Sequence, residues 1–170
     1  MKKLIALAIC LLLLLPFGGC AKKSEPVNMN RLYSVDANVK VGNFTADIGL
    51  NRLGNGVWDI NFTKPDNLNG LSISYENDKA NITYKGLSFA LAKEDIPVKA
   101  IMSNLTNVLD NAALGKDISF TKKDGKITAK GKVNGIDYSI TLDEKTGTIL
   151  QLALPKQDLE VSFKDYKLMT

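Results

Sequence analysis

Apolar and polar side chains alternate one by one through most of the chain from residue 35 onward. This period of two is typical of β-strands that bury one face. Trp58, Ile60 and Phe62, for example, share one face of a predicted strand. Between residues 35 and 50 the alternation shifts by one position at Gly42-Asn43, which predicts a bulge or bend in one long strand. Clusters of Gly, Asn and Asp separate the other segments, so we expect antiparallel hairpins.

The period changes between Asp95 and Gly115, where apolar residues follow the spacing of an amphipathic helix. Pro97 suits the first turn of such a helix, because a backbone N–H has no intrahelical partner there. Gly115 is a typical residue to end it. The sequence thus predicts one helix of roughly 17 residues among roughly nine or ten strands. The apolar stripe of this helix consists of Ile101, Leu105, Val108 and Ala112.

Most of the predicted strands are apolar on one face, and a single helix is available to cover them. An antiparallel sheet of this size twists and curls, because large flat open sheets are unusual. We therefore expect an α+β, mainly β, fold in which a strongly curved antiparallel sheet or half-open β-barrel is wrapped around one main helix. Space beside the helix is a candidate cavity.

The first twenty residues have the composition of a bacterial lipoprotein export signal. Lys2 and Lys3 precede an apolar run at residues 4–16, and Gly18-Gly19 lead directly to Cys20. The run is short for a membrane-spanning helix, so we expect it to be cleaved. The Cys20 sulfur would then carry acyl chains, which hold a protein at a bilayer with about 0.8 kcal/mol per buried methylene. The alternative is an ordinary secretory signal with a chance cysteine.

This interpretation divides the chain into three parts. Residues 1–19 are the signal peptide, residues 20–31 the lipidated N-terminus and a flexible tether, and residues 32–170 one folded domain. Two of the 22 basic residues lie in the signal, which leaves 20 basic residues against 18 acidic ones. These charges form no basic stripe interleaved with aromatic residues, so we expect no nucleic-acid partner.

Histidine is absent, and the two cysteines are Cys10, within the predicted signal, and Cys20. The folded domain therefore has no disulfide, no zinc site that uses Cys or His, and no nucleophile activated by His. We expect no cofactor and no metal.

Three sequence patterns that occur in enzymes are also found in this chain. Ser119-x-x-Lys122 and Lys145-Thr146-Gly147 match motifs of penicillin-recognising enzymes, but Ser119 lies in an alternating strand instead of at a helix start. Asp59, Asp143 and Glu144 are carboxylates at outward strand positions or in a turn, which disfavours a paired acid–base site or a calcium site. We expect no catalytic residue and no enzymatic activity.

Several segments combine strand aromatics and turn residues in a recognisable order. They are Gly56-Val57-Trp58-Asp59-Ile60 leading to Phe62 and Pro65, residues 84–89, Leu142-Asp143 with Thr146-Gly147, and Val161 with Phe163 and Tyr166. This order resembles the LolA/LolB-type lipoprotein-carrier superfamily, and within it the small lipoproteins of low-GC Gram-positive bacteria. The resemblance implies an incomplete β-barrel closed by helices, with an apolar cavity for acyl chains or other lipids. A permanently anchored chain differs from the soluble carriers of the superfamily, because it cannot shuttle as they do.

Ten apolar residues at predicted inward positions are candidates to line such a cavity. Core packing alone would give the same sequence pattern, so both interpretations stay open. The candidates are Phe44, Ile48, Trp58, Ile60, Phe62, Tyr75, Tyr84, Phe89, Ile101 and Leu105.

The leading functional hypothesis is a non-enzymatic envelope lipoprotein on the extracytoplasmic face of the bacterial cell membrane. It would bind an apolar ligand, either a lipid or the acylated part of another protein, in the half-barrel. The alternative is a protein-interaction or chaperone-like module of cell-envelope or spore physiology, which would bind an envelope protein partner through a sheet edge or the convex face and carry no lipid.

Overall fold

The computed structural model describes residues 28–76, 79–92 and 97–169. The predicted signal peptide, Cys20 and the first part of the predicted tether lie outside these residues.

The described residues form eleven β-strands, one α-helix and two short 3₁₀ turns. The helix is α1 (Pro97–Leu114), and the 3₁₀ turns are Asp66–Leu68 and Pro155–Gln157. The strands are β1 (Tyr33–Val41), β2 (Phe44–Gly54), β3 (Val57–Lys64), β4 (Ser72–Glu76), β5 (Lys79–Tyr84), β6 (Leu87–Ala92), β7 (Ser119–Lys123), β8 (Lys126–Val133), β9 (Ile136–Asp143), β10 (Ile149–Leu154) and β11 (Leu159–Leu168).

All eleven strands belong to one antiparallel sheet, in the order β6-β5-β4-β3-β2-β1-β11-β10-β9-β8-β7. The first and last strands pair in its middle, where Val39 lies beside Val161. The sheet is curved and does not close, so β6 and β7 are its edges in the described part of the chain. The prediction of a mainly β, curved, unclosed sheet with one helix is confirmed.

One face of the sheet, called the inner face here, carries the apolar core. Its buried residues alternate along each central strand, as in Val35, Ala37 and Val39 of β1. Helix α1 begins and ends as its sequence pattern predicts, and Gly115 follows it with a positive φ of 67°. No α1 residue from 101 to 113 is exposed. The helix contributes Met102, Leu105, Val108, Leu109 and Ala112 to the core.

The predicted bulge at Gly42-Asn43 is wrong, because these two residues form a hairpin turn. β1 ends at Val41, β2 begins at Phe44, and these two residues are register partners in the antiparallel pair. Gly42 has a φ of 55°, which a residue without Cβ adopts at no steric cost. A two-residue turn and a one-residue bulge shift the alternation by the same single position, so the pattern alone does not separate them.

The end of the predicted tether is attached to the sheet. Met29 is buried in the core, and Arg31 N–H donates to Met29 O at 3.0 Å. Arg52 Nη1 of β2 donates to Asn30 Oδ1 at 3.2 Å and to Arg31 O at 3.0 Å. The chain is therefore held to β2 just before β1 begins.

Candidate functional site

The ten predicted cavity residues fall into three groups of burial. Six are buried in the core: Ile48, Trp58, Ile60, Phe62, Tyr75 and Leu105. Three are half-buried: Phe44, Tyr84 and Ile101. Phe89 alone is exposed, with 52% of the residue's surface accessible. The set therefore contains both closely packed core and a part that reaches solvent.

Burial of the inner face falls steadily from β3 to the β6 edge. In one cross-strand row, Ile60 pairs with Ile73, Ile73 with Ile82, and Ile82 with Phe89. Ile60 and Ile73 are fully buried, Ile82 is half-buried, and Phe89 is exposed. The inner face is thus covered at β3 and β4, whereas Ile82 of β5 is only half-covered and Phe89 of β6 is open; Ala80 of β5 is still buried.

The next row along the same face repeats this decline. Phe62 is buried, Leu71 and Tyr84 are half-buried, and Leu87 is 63% exposed. Tyr84 pairs with Leu87 across the β5–β6 hairpin, and its hydroxyl donates to Asn67 O at 2.7 Å. We call the four uncovered or half-covered side chains of the two outer strands the apolar wing: Ile82, Tyr84, Leu87 and Phe89. Contiguous apolar surface of this kind is typical of a binding site.

A buried ion pair joins α1 to the sheet. Arg52, 1% exposed, lies 3.2 Å from Asp110 Oδ1 through both Nε and Nη2. Asp110 Oδ2 accepts hydrogen bonds from Gly56 N–H at 2.9 Å and from Trp58 Nε1 at 2.8 Å. Hydrogen bonds satisfy both Asp110 oxygens and the Nε and Nη1 atoms of Arg52, whereas the buried Nη2 has only its ion-pair contact with Asp110. Asp110 therefore fixes the position of α1 over β2 and β3.

Aromatic rings surround this ion pair. The Arg52 guanidinium lies 5.8 Å from the Trp58 ring centre, and Tyr33 packs edge-on to Trp58 with centroids 6.0 Å apart. Tyr166 lies 4.7 Å from Tyr33 on the other side. The Tyr33 hydroxyl is buried without a hydrogen-bond partner among the described residues. Its burial raises the Tyr33 pKa, because ionisation would place a charge in an apolar environment.

The sequence analysis did not identify Arg52 and Asp110 as partners, although one signal was present. Arg52 continues the inward alternation of Ile48 and Leu50, so a charged side chain occupies a core position of β2. A charge at such a position requires a buried partner of opposite sign. The sequence gives no means to choose Asp110, which is 58 positions away.

Two contacts hold the opposite side of α1. Tyr138 of β9 donates its hydroxyl proton to Asn111 Oδ1 at 2.8 Å, and burial raises the pKa of Tyr138 to about 12. Gly131 of β8 faces Tyr138, and a Cβ at this position would lie 2.6 Å from the Tyr138 Cζ. Glycine is therefore required for the tyrosine ring to lie flat against β8. Asn104 Nδ2 also donates to Gln157 Oε1 at 3.2 Å.

A cavity of about 170 Å³ lies between β10 and β11 and is lined by Gln151, Leu152, Ala153, Glu160, Val161 and Ser162. Gln151 and Glu160 are exposed polar residues, and none of the ten predicted cavity residues lines it. This cavity is small and is separate from the apolar wing.

The enzyme-like motifs occupy structural positions. Ser119 lies in β7 as expected, and its hydroxyl donates to Lys130 O at 3.4 Å. Asp143 Oδ1 accepts from Lys145 N–H at 3.0 Å and from Thr146 N–H at 2.8 Å, which closes the turn after β9. These bonds, with the Thr146 backbone bond strongest, lower the pKa of Asp143. Across the described ranges, no three Asp or Glu side chains gather in a way that would hold a metal ion.

Within the residues given structure, no helix has the length and apolar character to cross a bilayer.

Comparison with solved structures identifies proteins of similar fold. An uncharacterized conserved protein from Thermus thermophilus is 8% identical, with a TM-score of 0.55 over 84% of this chain and 82% of that one. A LolA superfamily protein from Nitrosomonas europaea is 10% identical, with a TM-score of 0.41 over 88% of this chain and 92% of that one. A putative outer membrane lipoprotein-sorting protein domain from Vibrio parahaemolyticus is 10% identical, with a TM-score of 0.42 over 84% and 86%.

At these identities the similarity concerns the fold alone. No protein-family model matches the chain, and no curated protein matches it.

Proposed function

We propose that this protein is a non-enzymatic envelope lipoprotein that binds an apolar ligand on the inner face of its sheet. The ligand is a lipid or the acylated part of another protein, and the apolar wing is its contact surface. The observation that carries this proposal is the decline in burial from Ile60 and Ile73 to Phe89 along one continuous apolar row. Single exposed apolar residues are common on protein surfaces, but a row that continues the core is not.

In this proposal the sheet wraps around α1 and leaves room for the ligand beside it. Three observations support this arrangement. The helix bonds to β2 and β3 through Asp110 and to β9 through Asn111, so it has partners in both halves of the sheet. It packs chiefly against β8, in the half that ends at β7. The apolar wing lies in the other half, where the helix gives least cover.

An apolar ligand gains free energy on this surface because both partners leave water. Burial of apolar surface contributes about 25 cal/mol per Å², and full burial of a Leu or Phe side chain contributes about 1.5–3 kcal/mol. Leu87 and Phe89 are large and mostly exposed, so each has apolar area left to bury. An acyl chain laid along β5 and β6 would meet Phe89 and Leu87 first and Ile82 beneath them.

Binding can be measured on the chain from residue 21 onward, which keeps every described residue. We expect saturable uptake of a fluorescent fatty acid. Replacing both exposed residues of the apolar wing, Leu87→Ser with Phe89→Ser, is expected to weaken uptake at least tenfold, which corresponds to about 1.4 kcal/mol. The matched control replaces two leucines that are exposed elsewhere, Leu53→Ser with Leu168→Ser.

The control pair should leave uptake unchanged, because Leu53 and Leu168 are 43% and 54% exposed but lie outside the apolar wing. Absence of uptake by the unmodified chain, together with a native mass spectrum free of bound lipid, would contradict the proposal. Equal loss in both pairs would indicate non-specific adsorption to exposed apolar side chains and would also contradict it.

We also propose that the chain is anchored to the extracytoplasmic face of the membrane through acylated Cys20. The sequence around Cys20 supports this, and the polar composition of residues 21–30 suits the predicted tether. Metabolic labelling with a radioactive fatty acid tests it. The unmodified chain should be labelled and Cys20→Ser should not, whereas Cys10→Ser should keep the label. Label retained in Cys20→Ser would overturn the anchor.

A further inference from the structure

The edge strand β6 lacks two features that protect many sheet edges, charged residues and proline. Its residues Leu87 to Ala92 include no charged residue and no proline. Leu87, Ser88, Phe89 and Ala90 are all exposed. The other edge, β7, carries Lys122 and Lys123, which are typical of a protected edge strand. A long uncharged edge with exposed apolar side chains is a template for pairing with another strand.

The turn before β6 fixes which backbone groups of this strand are free. Lys85 and Gly86 have φ values of 49° and 82°, so they form a type I′ turn that bonds Tyr84 to Leu87. Backbone groups alternate in direction along a strand, so Leu87 and Phe89 bond to β5. The N–H and C=O groups of Ser88 and Ala90 therefore point away from the sheet.

We propose that β6 pairs with β6 of a second copy of this chain, antiparallel about a two-fold axis at Phe89. In an antiparallel pair, opposite residues lie on the same face, so inner residues must meet inner residues. Two axes satisfy this with an equal overlap of five residues, one at Phe89 and one at Ala90. The axis at Phe89 is the one that brings the two exposed Phe89 side chains together, with residue 87 opposite residue 91. Ser88 then faces Ala90 of the partner, and their free backbone groups form the ladder.

Charge favours a second copy as the occupant. When a strand pairs with its own copy, each side chain lies opposite the same residue or one close to it in sequence. A strand whose charges have one sign therefore repels its copy. The uncharged β6 has no such repulsion, whereas pairing of β7 with itself would bring Lys122 and Lys123 near the same lysines. Phe89 would meet its own copy in a pair without hydrogen bonds, where side chains are closest. The two apolar wings would then form one continuous surface.

Crosslinking tests the geometry directly. The chain from residue 21 onward contains no cysteine. A single Phe89→Cys should therefore form a disulfide-linked dimer on mild oxidation, because opposite Cβ atoms at this position lie within disulfide reach. Thr121→Cys is the matched control: it is exposed, central in β7, and paired with β8 as Phe89 is with β5. It should stay monomeric under the same oxidation.

Sedimentation equilibrium gives an independent measurement that keeps Phe89. The unmodified chain should form a reversible dimer, and Ser88→Lys with Ala90→Lys should weaken it at least tenfold, because four lysines would surround the axis. Ser119→Lys with Thr121→Lys on β7 should have no effect. Circular dichroism would show that each variant is folded.

The proposal is overturned if the unmodified chain is monomeric at every concentration, or if it dimerises without crosslinking at residue 89. Capture of a different protein by β6 would overturn it in favour of a protein-interaction module. None of these outcomes depends on lipid uptake. A monomer that takes up fatty acid would contradict the β6 pairing and support the proposed function. A dimer that takes up no fatty acid would support the pairing and contradict the proposed function.

Discussion

The two halves of the sheet end differently. At the β7 edge, Phe120 is half-buried, its neighbour Ala129 is fully buried, and α1 packs against β8. At the β6 edge, the corresponding outer phenylalanine, Phe89, is exposed, and its neighbour Ile82 is only half-buried. The inner face is thus better covered at the β7 edge, where α1 packs against the neighbouring strand β8, than at the β6 edge, where the apolar surface stays open.

The half of the sheet that is better covered also carries more charged residues near its edge. Near β7, Lys122 forms an ion pair with Glu144. Asp137 accepts from Lys156 at 2.8 Å and from Lys132 at 3.2 Å, and these bonds, with Lys156 the stronger, lower the pKa of Asp137. The strand β6 carries no charge. The comparison teaches that the β7 edge is protected by its lysines and lies beside a strand that the helix covers, whereas the β6 edge keeps the features of a contact surface.

The largest expected effect follows from removing the attachment of α1. Asp110→Ala leaves Arg52 buried without a counter-charge and leaves Trp58 Nε1 without its acceptor. We expect the free energy of unfolding to fall by about 3–5 kcal/mol. Urea unfolding followed by tryptophan fluorescence measures this directly, because Trp58 is the single tryptophan.

A double variant provides the control for this change. Arg52→Met with Asp110→Leu removes both charges and fills the space with apolar groups, so it should recover much of the lost stability. If Asp110→Ala were as stable as the unmodified chain, the ion pair would not be what holds the helix over β2 and β3.

Gly131→Ala should cause the next largest loss of stability. The change disturbs packing in the half of the sheet that ends at β7. The added Cβ would lie 2.6 Å from Tyr138 Cζ, so the ring must move away from β8. We expect a loss of about 1–3 kcal/mol in the free energy of unfolding. Gly49→Ala is the matched control, because its nearest contact is at 4.0 Å. Equal unfolding curves for the two variants would contradict the close packing of Tyr138.

Replacing the two outer phenylalanines compares the halves directly. Phe120→Ser should lower the free energy of unfolding by about 1–2 kcal/mol, because Phe120 is half-buried against the core. Phe89→Ser should change it by no more than about 0.5 kcal/mol, as is usual for an exposed position. Thermal or urea unfolding of the pair measures the difference. A greater loss in Phe89→Ser would mean that Phe89 belongs to the core.

The smallest effect is expected from alkaline pH acting on Tyr138. Burial raises its pKa from 10.0 to about 12, so the neutral phenol is favoured in the folded chain. Its contribution to stability is complete below pH 10 and declines as the pH rises from 10 to 12, because only the unfolded chain ionises there. Tyr138→Phe should flatten this decline in urea unfolding curves recorded across that range. An unchanged slope would show that Tyr138 ionises as freely in the folded chain as in the unfolded one.

Local sequence signals were sufficient for most elements. The alternation placed Trp58, Ile60 and Phe62 on one face of β3, and the change of period located α1 between Asp95 and Gly115, close to its observed bounds Pro97–Leu114. Both are properties of neighbouring residues, so they can be identified without the rest of the chain.

The turn at Gly42-Asn43 was mistaken for a bulge because both shift the period by one residue, and only the pairing of Val41 with Phe44 separates them.

The candidate site was harder to predict. The sequence placed Trp58 and Phe89 in one list of inward-facing residues, yet Trp58 is 1% exposed and Phe89 is 52% exposed. The alternation pattern indicates which face of the sheet a side chain occupies. It does not indicate whether another element covers that face.

By itself, the sequence determined the strand-rich architecture, the single helix and the absence of His- or Cys-based chemistry in the folded domain, because composition and local periodicity are enough for these. The tertiary structure alone decided that Arg52 pairs with Asp110, that α1 packs chiefly against β8, and that the apolar wing stays open. These features depend on residues far apart in the chain, and the position of one rigid helix on a curved sheet decides which apolar side chains leave water.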